Sequence, residues 1–243
     1  DGIRDYKVTG VQTCALPILL KNSEDLFHFQ LKAKDKEVGH CQDILFSDNS
    51  WEVKYIVVNA GEFLHKKKVL VPPKTIERPD WGSHEIVINL TDEELKSSPL
   101  LDEHQPVSKQ LEDQLMTYYR ARYQRWQGYW EETNVPPPVL PTEGLTEESE
   151  ETHLRSVKEL DNYAIHATDG NIGHVEGFLF DESWHIRYII INIRMLGLTV
   201  REIIFSPKWV TKIDWATEEI YIDHSIADIK KSPSYKQIGR AHV

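Results

Sequence analysis

Residues 170–193 read GNIGHVEGFLFDESWHIRYIIINI, and residues 37–59 read EVGHCQDILFSDNSWEVKYIVVN. These two stretches are the clearest part of a longer repeat. Residues 20–99 align with residues 154–233 at an offset of 134, slipping by one between Asn49 and the neighbourhood of Val200. Gly39-His40 recurs as Gly173-His174, Leu45-Phe46 as Leu179-Phe180, and Trp51 as Trp184. Tyr55-Ile56 recurs as Tyr188-Ile189, Pro73-Lys74 as Pro207-Lys208, and Asp80-Trp81 as Asp214-Trp215. A repeat of this length means one folding unit used twice.

The unit reads as β-rich. In the first copy Val38, Ile44, Leu45 and Phe46 precede a polar turn at Ser47-Asp48-Asn49-Ser50, after which Trp51, Val53, Tyr55 and Val57 alternate with Glu52, Lys54, Ile56 and Val58. A period of two that relaxes into a continuous apolar run suits a strand exposed at one end and buried at the other. The second copy repeats this with Trp184, Ile186 and Tyr188 against His185 and Arg187. Shorter strands are predicted at residues 69–71 and 85–89, and at 203–205 and 219–223. Short strands joined by tight polar turns, without βαβ spacing, favour a small antiparallel barrel over an open parallel sheet. Thr91 to Glu94 forms a capping-box pattern for a closing helix, and Ser225 to Asp228 is a weaker version. Pro99 and Pro233 stop these helices.

The expected fold class is mainly β with short helices: two tandem small antiparallel β-barrels, each closed by a C-terminal helix. The first barrel spans residues 19–100 and the second 153–236, with a connector at 101–152. Within the connector, Leu111, Leu115, Tyr118, Tyr119, Tyr123 and Trp126 recur at three- and four-residue steps, predicting an amphipathic helix over about 107–130. The segment 134–151, with three consecutive prolines and many glutamates, reads as extended and solvated.

The two ends are set aside. Residues 8–18 are the translation of a string that resembles a common sequencing-library adapter, and residues 238–243 correspond to its reverse complement. We therefore expect residues 1–18 and 237–243 to be adapter sequence, as a fusion scar would be. Omitting them leaves 25 basic and 37 acidic residues, a balance of −12 in place of −11 for the whole chain. An acidic surface disfavours broad binding to nucleic-acid phosphates or anionic lipid. Of the two cysteines Cys14 lies in the adapter, and a lone Cys41 builds neither a disulfide nor a cysteine-based metal site. The longest apolar run, residues 188–193, contains Asn192 and falls far short of the roughly 18 residues a membrane helix needs. A cytoplasmic protein is expected.

With these residues in place, a resemblance emerges. The pattern DGNIGHVEGFLFDESWHIRYIIINI, followed by FSPKWVTKIDW and a helix ending KKSP, resembles the PRC-barrel family. The first copy matches through EVGHCQDILFSDNSWEVKYIVVNAGEFLHKKKVLVPP, and the resemblance covers nearly all of residues 19–233. It extends to the tandem bacterial form, which joins its barrels by an aromatic helix and resumes, as here, with HLRSVKEL. The resemblance implies a six-stranded barrel of the kind found in the H subunit of photosynthetic reaction centres and in a ribosome maturation factor. In both settings the barrel serves protein contacts or assembly. The second copy departs from the family at residues 194–200, where a Trp- and Gly-containing loop is usual.

No motif for covalent chemistry appears: GxSxG, P-loop, GxGxxG, HExxH and paired CxxC are all missing. His40 and His174 recur but have no second ligand at short spacing. Asp80-Trp81 and Asp214-Trp215 read as a turn aspartate beside a Trp that covers the end of a barrel, and Trp51 and Trp184 as shields over the hairpin. No catalytic residue, cofactor or metal is expected, and the chain is not expected to be an enzyme. The candidate partner surface is Lys66, Lys67 and Lys68, a basic cluster missing from the second copy, with the connector aromatics Tyr119, Trp126 and Trp130. The leading functional expectation is a non-catalytic adaptor for protein partners, a further copy of the chain included. Two alternatives are a ribosome- or RNA-associated assembly factor and a reaction-centre H-subunit-like component of a photosynthetic membrane complex.

Overall fold

The computed structural model describes residues 20–27, 29–59, 68–77, 82–101, 107–126, 154–194 and 200–235. In chain order the first copy gives β1 (Lys21–Asn22), α1 (Ser23–Leu26), β2 (Gln30–Lys32), β3 (Glu37–Ser47), β4 (Val53–Asn59), β5 (Lys68–Val71), β6 (Glu85–Val87), α2 (Asp92–Lys96) and β7 (Leu100–Leu101). Helix α3 (Lys109–Trp126) follows. The second copy gives β8 (Leu154–Ser156), β9 (Ala164–Ala167), β10 (Gly170–Phe180), β11 (Ile186–Arg194), β12 (Val200–Phe205), β13 (Val210–Asp214), β14 (Glu219–Ile222) and α4 (Ile226–Ile229). The described chain is mainly β with short helices, as the sequence implies, and the strands form two seven-stranded sheets.

The two sheets repeat one another. One runs β6-β2-β3-β4-β5-β7 and the other β14-β9-β10-β11-β12 in the matching order, with β13 beyond β14. Along each path one pair is parallel, β2 with β6 and β9 with β14, and all others are antiparallel. The antiparallel expectation therefore needs correcting at one pair per sheet. After the four-strand meander the chain crosses to the far side of the sheet and meets β2 or β9 running in the same direction. Alternation in sequence reports burial, not strand direction.

Each sheet also contains a strand from the other copy. Strand β1 pairs with β10, setting Lys21 opposite Phe180 and Asn22 opposite Leu179. Strand β8 pairs with β3, setting Arg155 opposite Phe46 and Ser156 opposite Leu45. These two registers are the same register, displaced by the repeat offset of 134. The exchange is reciprocal, the arrangement that in homodimers is called domain swapping, here made within one chain. In sequence the copies divide at residues 19–100 and 153–236; in hydrogen bonding each donates its first strand to the other.

One hydrophobic core runs through both copies. Phe29, Phe46, Ile56 and Leu70 of the first copy belong to the same buried cluster as Phe178, Ile191 and Phe205 of the second. The Phe46 and Phe178 rings lie 6.0 Å apart. The recurring glycine has a steric reason in β10. A side chain at Gly173 would place its Cβ 2.0 Å from the Asn192 carbonyl oxygen, so only glycine permits this approach of β10 to β11.

The closing helices form as the caps predict. Thr91 accepts the Glu94 amide and Glu94 returns to the Thr91 amide, completing a capping box at α2. Ser225 accepts the Asp228 amide at α4. Both helices end within about one turn.

Beyond these shared features the copies differ in what covers them. Helix α3 lies on the first sheet: Leu115 is fully buried, and the Tyr119 hydroxyl donates to the Leu70 carbonyl at 2.8 Å. Tyr118 donates to the Glu94 carbonyl. On the second copy Leu179, Ile190 and Ile204 form a separate cluster, covered by Leu20, Tyr188 and Tyr235.

Phe180 tests the packing. It is 3% exposed, stacks on Trp184 at 5.2 Å, and sits opposite the exchanged strand at Lys21. Phe180→Ala is expected to cost about 3–5 kcal/mol and, through the continuous core, to lower the single melting transition of the whole chain. A thermal melt indistinguishable from wild type contradicts this packing.

Candidate functional site

The seam between the copies is where side chains from both converge. At its centre Glu52 and His185, equivalent positions of the repeat, form an antiparallel bridge. The Val53 amide donates to the Trp184 carbonyl and the Ile186 amide to the Trp51 carbonyl, each at 2.8 Å. Trp51 and Trp184 adopt left-handed backbone angles, φ 57° and 61°, a conformation costly for a large side chain. Stacking offsets that cost: Trp51 lies on Phe46 at 5.3 Å and Trp184 on Phe180 at 5.2 Å. The strands predicted to start at these tryptophans therefore start at Val53 and Ile186, and the tryptophans serve the turn.

On either side of this bridge the exchanged segments are fastened by different chemistry in the two copies. In the first, the Asp43 carboxylate accepts from the Ser156 hydroxyl at 2.5 Å and from the Lys158 and Ile44 amides at 3.3 and 2.7 Å. The repeat equivalent of Asp43 is Gly177, and there the Phe178 amide donates to the Ser23 hydroxyl at 3.1 Å. Arg155 adds a further tie, donating to Asp48 at 3.0 Å while its guanidinium lies 4.3 Å from the Trp215 ring. A guanidinium held over an indole and paired with a carboxylate combines cation–π attraction with a charged hydrogen bond.

Several residues singled out in the sequence are placed by these elements. Lys68 opens β5, opposite Leu101 and Asn59. Lys66, Lys67 and Trp130 lie outside the described residues, and so do Asp80 and Trp81. Trp126 is the last residue of α3. Tyr119 is 3% exposed and spent on the contact with Leu70, so it contributes to the interior and not to a surface. Of the six candidate partner residues, Tyr119 is therefore interior, Lys68 is placed in β5, Trp126 ends α3, and the other three lie outside the described residues. Asp214 is a turn aspartate, accepting the Ala216 and Thr217 amides at 3.2 and 3.3 Å, and Trp215 packs edge-on against Tyr163.

The titratable groups in the interior are tuned by burial. Cys41 is 1% exposed and its thiol is pushed up to about 12, chiefly by loss of solvent, so it stays protonated and poorly nucleophilic at neutral pH. His40 faces Gln30 and Asn59 in β3, while His174 faces Ala164 and Asn192 in β10. Among the described residues no group of three or more His, Cys, Asp or Glu is arranged to hold a metal ion. No described helix is long and apolar enough to cross a membrane.

Sequence reasoning missed the seam itself. The one available signal is that the repeat begins at Leu20, ten residues before the first strand of the sheet it precedes. No protein-family model matches the chain, and no curated protein matches it.

Asp43 yields a test by pH. Burial raises its carboxyl above the ordinary 3.8, with the Ser156 hydroxyl and the two amides opposing less strongly. The folded protein therefore holds this proton to a higher pH than the unfolded chain does. The contribution is most favourable at low pH and declines as pH rises from 3.8 through the raised value. Asp43→Asn keeps an oxygen acceptor and removes the ionisation. Its stability relative to wild type is expected to increase between pH 3.5 and 7 in paired denaturant titrations, about the pKa shift in size. A constant difference, or one of opposite slope, contradicts this.

Proposed function

We propose that the chain is a tandem PRC-barrel protein that works without covalent chemistry, as an adaptor presenting protein-binding surfaces during assembly. The resemblance in sequence supports this at the positions on which the fold turns: the glycine at the β10–β11 approach, and the tryptophan in each hairpin turn. The shared strand order of the two sheets, each with one parallel pair (β2 with β6, β9 with β14) and a short helix after it, supports this reading, in which each sheet curls into a small barrel.

The observation that carries the functional reading is the reciprocal strand exchange. It fixes the two copies as one body whose outer faces are related by the repeat but clothed differently, one by α3 and the other by Leu20, Tyr188 and Tyr235. An adaptor needs surfaces in a constant mutual relation; an independent pair of beads on a linker would not supply one. The functional reading rests on this fixed mutual arrangement of the copies.

The test is affinity capture with the full chain from the source cell at physiological salt, alongside co-sedimentation with ribosomal subunits at low salt. Recovery of defined protein partners in fixed stoichiometry, without salt-sensitive ribosome association, is expected. Turnover of a metabolite by the purified protein, abolished by a point substitution, would overturn the non-catalytic reading.

A further inference from the structure

A cleft of about 330 Å³ opens on the seam, and its walls come from both exchanged segments. Ser23, Glu24 and Phe27 line one side and Val157, Lys158 and Asp161 the other. These are equivalent positions of the repeat, so the cleft lies where the pseudo-twofold relation brings the two copies face to face. None of the three pairs is identical, and two of them differ in charge. Their structural neighbours are kept: Leu26 and Leu160 are both fully buried, and Phe46 and Phe180 both stack on a tryptophan. Packing therefore holds the frame of the cleft the same in both copies and leaves its lining different.

The floor is apolar and buried, formed by Phe178, Gly177 and Val157. At the rim, Glu24, Asp161 and Glu176 set three carboxylates against the single ammonium of Lys158. Burial together with the fields of Glu176 and Asp161 raises the Glu24 carboxyl, which marks the local potential as negative. The chain itself demonstrates what the cleft accepts. The Lys158 ammonium stands 4.6 Å from the centre of the Phe27 ring, a cation over an aromatic face beside carboxylates, of which Glu176 also accepts from the Asn192 side chain.

We infer that this cleft is a docking site for an arginine side chain presented by a partner protein. The occupant follows from complementarity. A three-methylene stem suits the Phe178 and Val157 floor, and a planar guanidinium suits a bidentate contact with the rim carboxylates, the Phe27 face being held by Lys158. The excess negative charge favours a cation over a neutral or acidic group. This inference rests on the adaptor reading and assigns that function a position.

The test titrates the full chain with the blocked peptide Gly-Gly-Arg-Gly-Gly and with its citrulline counterpart, a neutral isostere, following backbone amide signals by NMR. Saturable shifts at Glu24, Phe27, Lys158 and Gly177 are expected with the arginine peptide, and binding about fivefold or more weaker with citrulline. The double variant Glu24→Gln/Glu176→Gln, with an unchanged melting profile as its folding control, is expected to weaken the arginine peptide by a similar factor. Equal binding of both peptides, shifts centred elsewhere, or saturation of the same amides by Ca²⁺ or Mg²⁺ alone would overturn the inference. Affinity capture with the double variant separates the two readings. Partners retained unchanged would overturn the cleft and leave the adaptor standing. A wild-type chain that captures no partner would overturn the adaptor, and the peptide titration alone would then judge the cleft.

Discussion

The backbone hydrogen bonds that β1 makes to β10, and β8 makes to β3, set the conditions for the rest of the molecule. Each is a two- or three-residue strand too short to persist on its own, and each takes the stretch of β10 or β3 that β9 or β2 leaves open in the sheet of the other copy. Because both exchanges occur, neither copy can leave without exposing an edge and a row of unpaired backbone groups, which in a buried seam is costly. The continuous core follows from that. Phe46 and Phe178 meet across the seam because their strands carry the exchanged partners, and the two tryptophan turns interlock there through reciprocal amide–carbonyl bonds.

Duplication gives the chain a near-symmetric frame, and single substitutions then divide the labour. Asp43 fastens the incoming Ser156 segment with a carboxylate, while Gly177 at the matching place leaves room for the Ser23 hydroxyl. The pair Lys32 and Glu85, bonded at 2.5 Å across β2 and β6, becomes His166 and Glu219 at 3.1 Å across β9 and β14. The outer surfaces diverge in the same manner. The first copy recruits α3 through Tyr119 and Tyr118, while the second relies on Tyr235, whose hydroxyl lies 3.4 Å from the Asn22 side-chain nitrogen of the exchanged segment. Shared positions maintain packing, and differing ones locate the charged cleft.

Much of the fold was legible in the sequence for concrete reasons. The alternation at Val53 to Tyr55 and Ile186 to Tyr188 records one-sided burial at the start of each strand, the apolar run after it records burial of both faces, and the Thr91 to Glu94 capping pattern names a helix start to the residue. The exchange was not legible, because the competing edges are nearly degenerate. Leu45-Phe46 and Leu179-Phe180 are the same dipeptide, so pairing preferences cannot say which of them β8 will choose. Asp43 favours the observed choice by accepting the Ser156 hydroxyl, a contact 113 residues away in sequence. The tryptophan turns were hidden for a different reason: an indole on an alternating pattern reads as strand, and only the stacking on Phe46 or Phe180 makes a positive φ affordable. Of the candidate site, the recurring Asp214-Trp215 pair was readable as a turn, whereas Tyr119 was readable only as part of a helix face whose direction the period does not fix.

The central claim is that each copy's first strand belongs to the other copy's sheet. Inter-strand nuclear Overhauser contacts in the isotopically labelled full chain test it most directly, since exchanged and unexchanged pairings place different backbone protons together. Contacts from Arg155 and Ser156 to Phe46 and Leu45, with Lys21 and Asn22 touching Phe180 and Leu179, are the predicted result. Contacts from Arg155 to Phe180 and from Lys21 to Phe46 would contradict it, leaving two self-contained units.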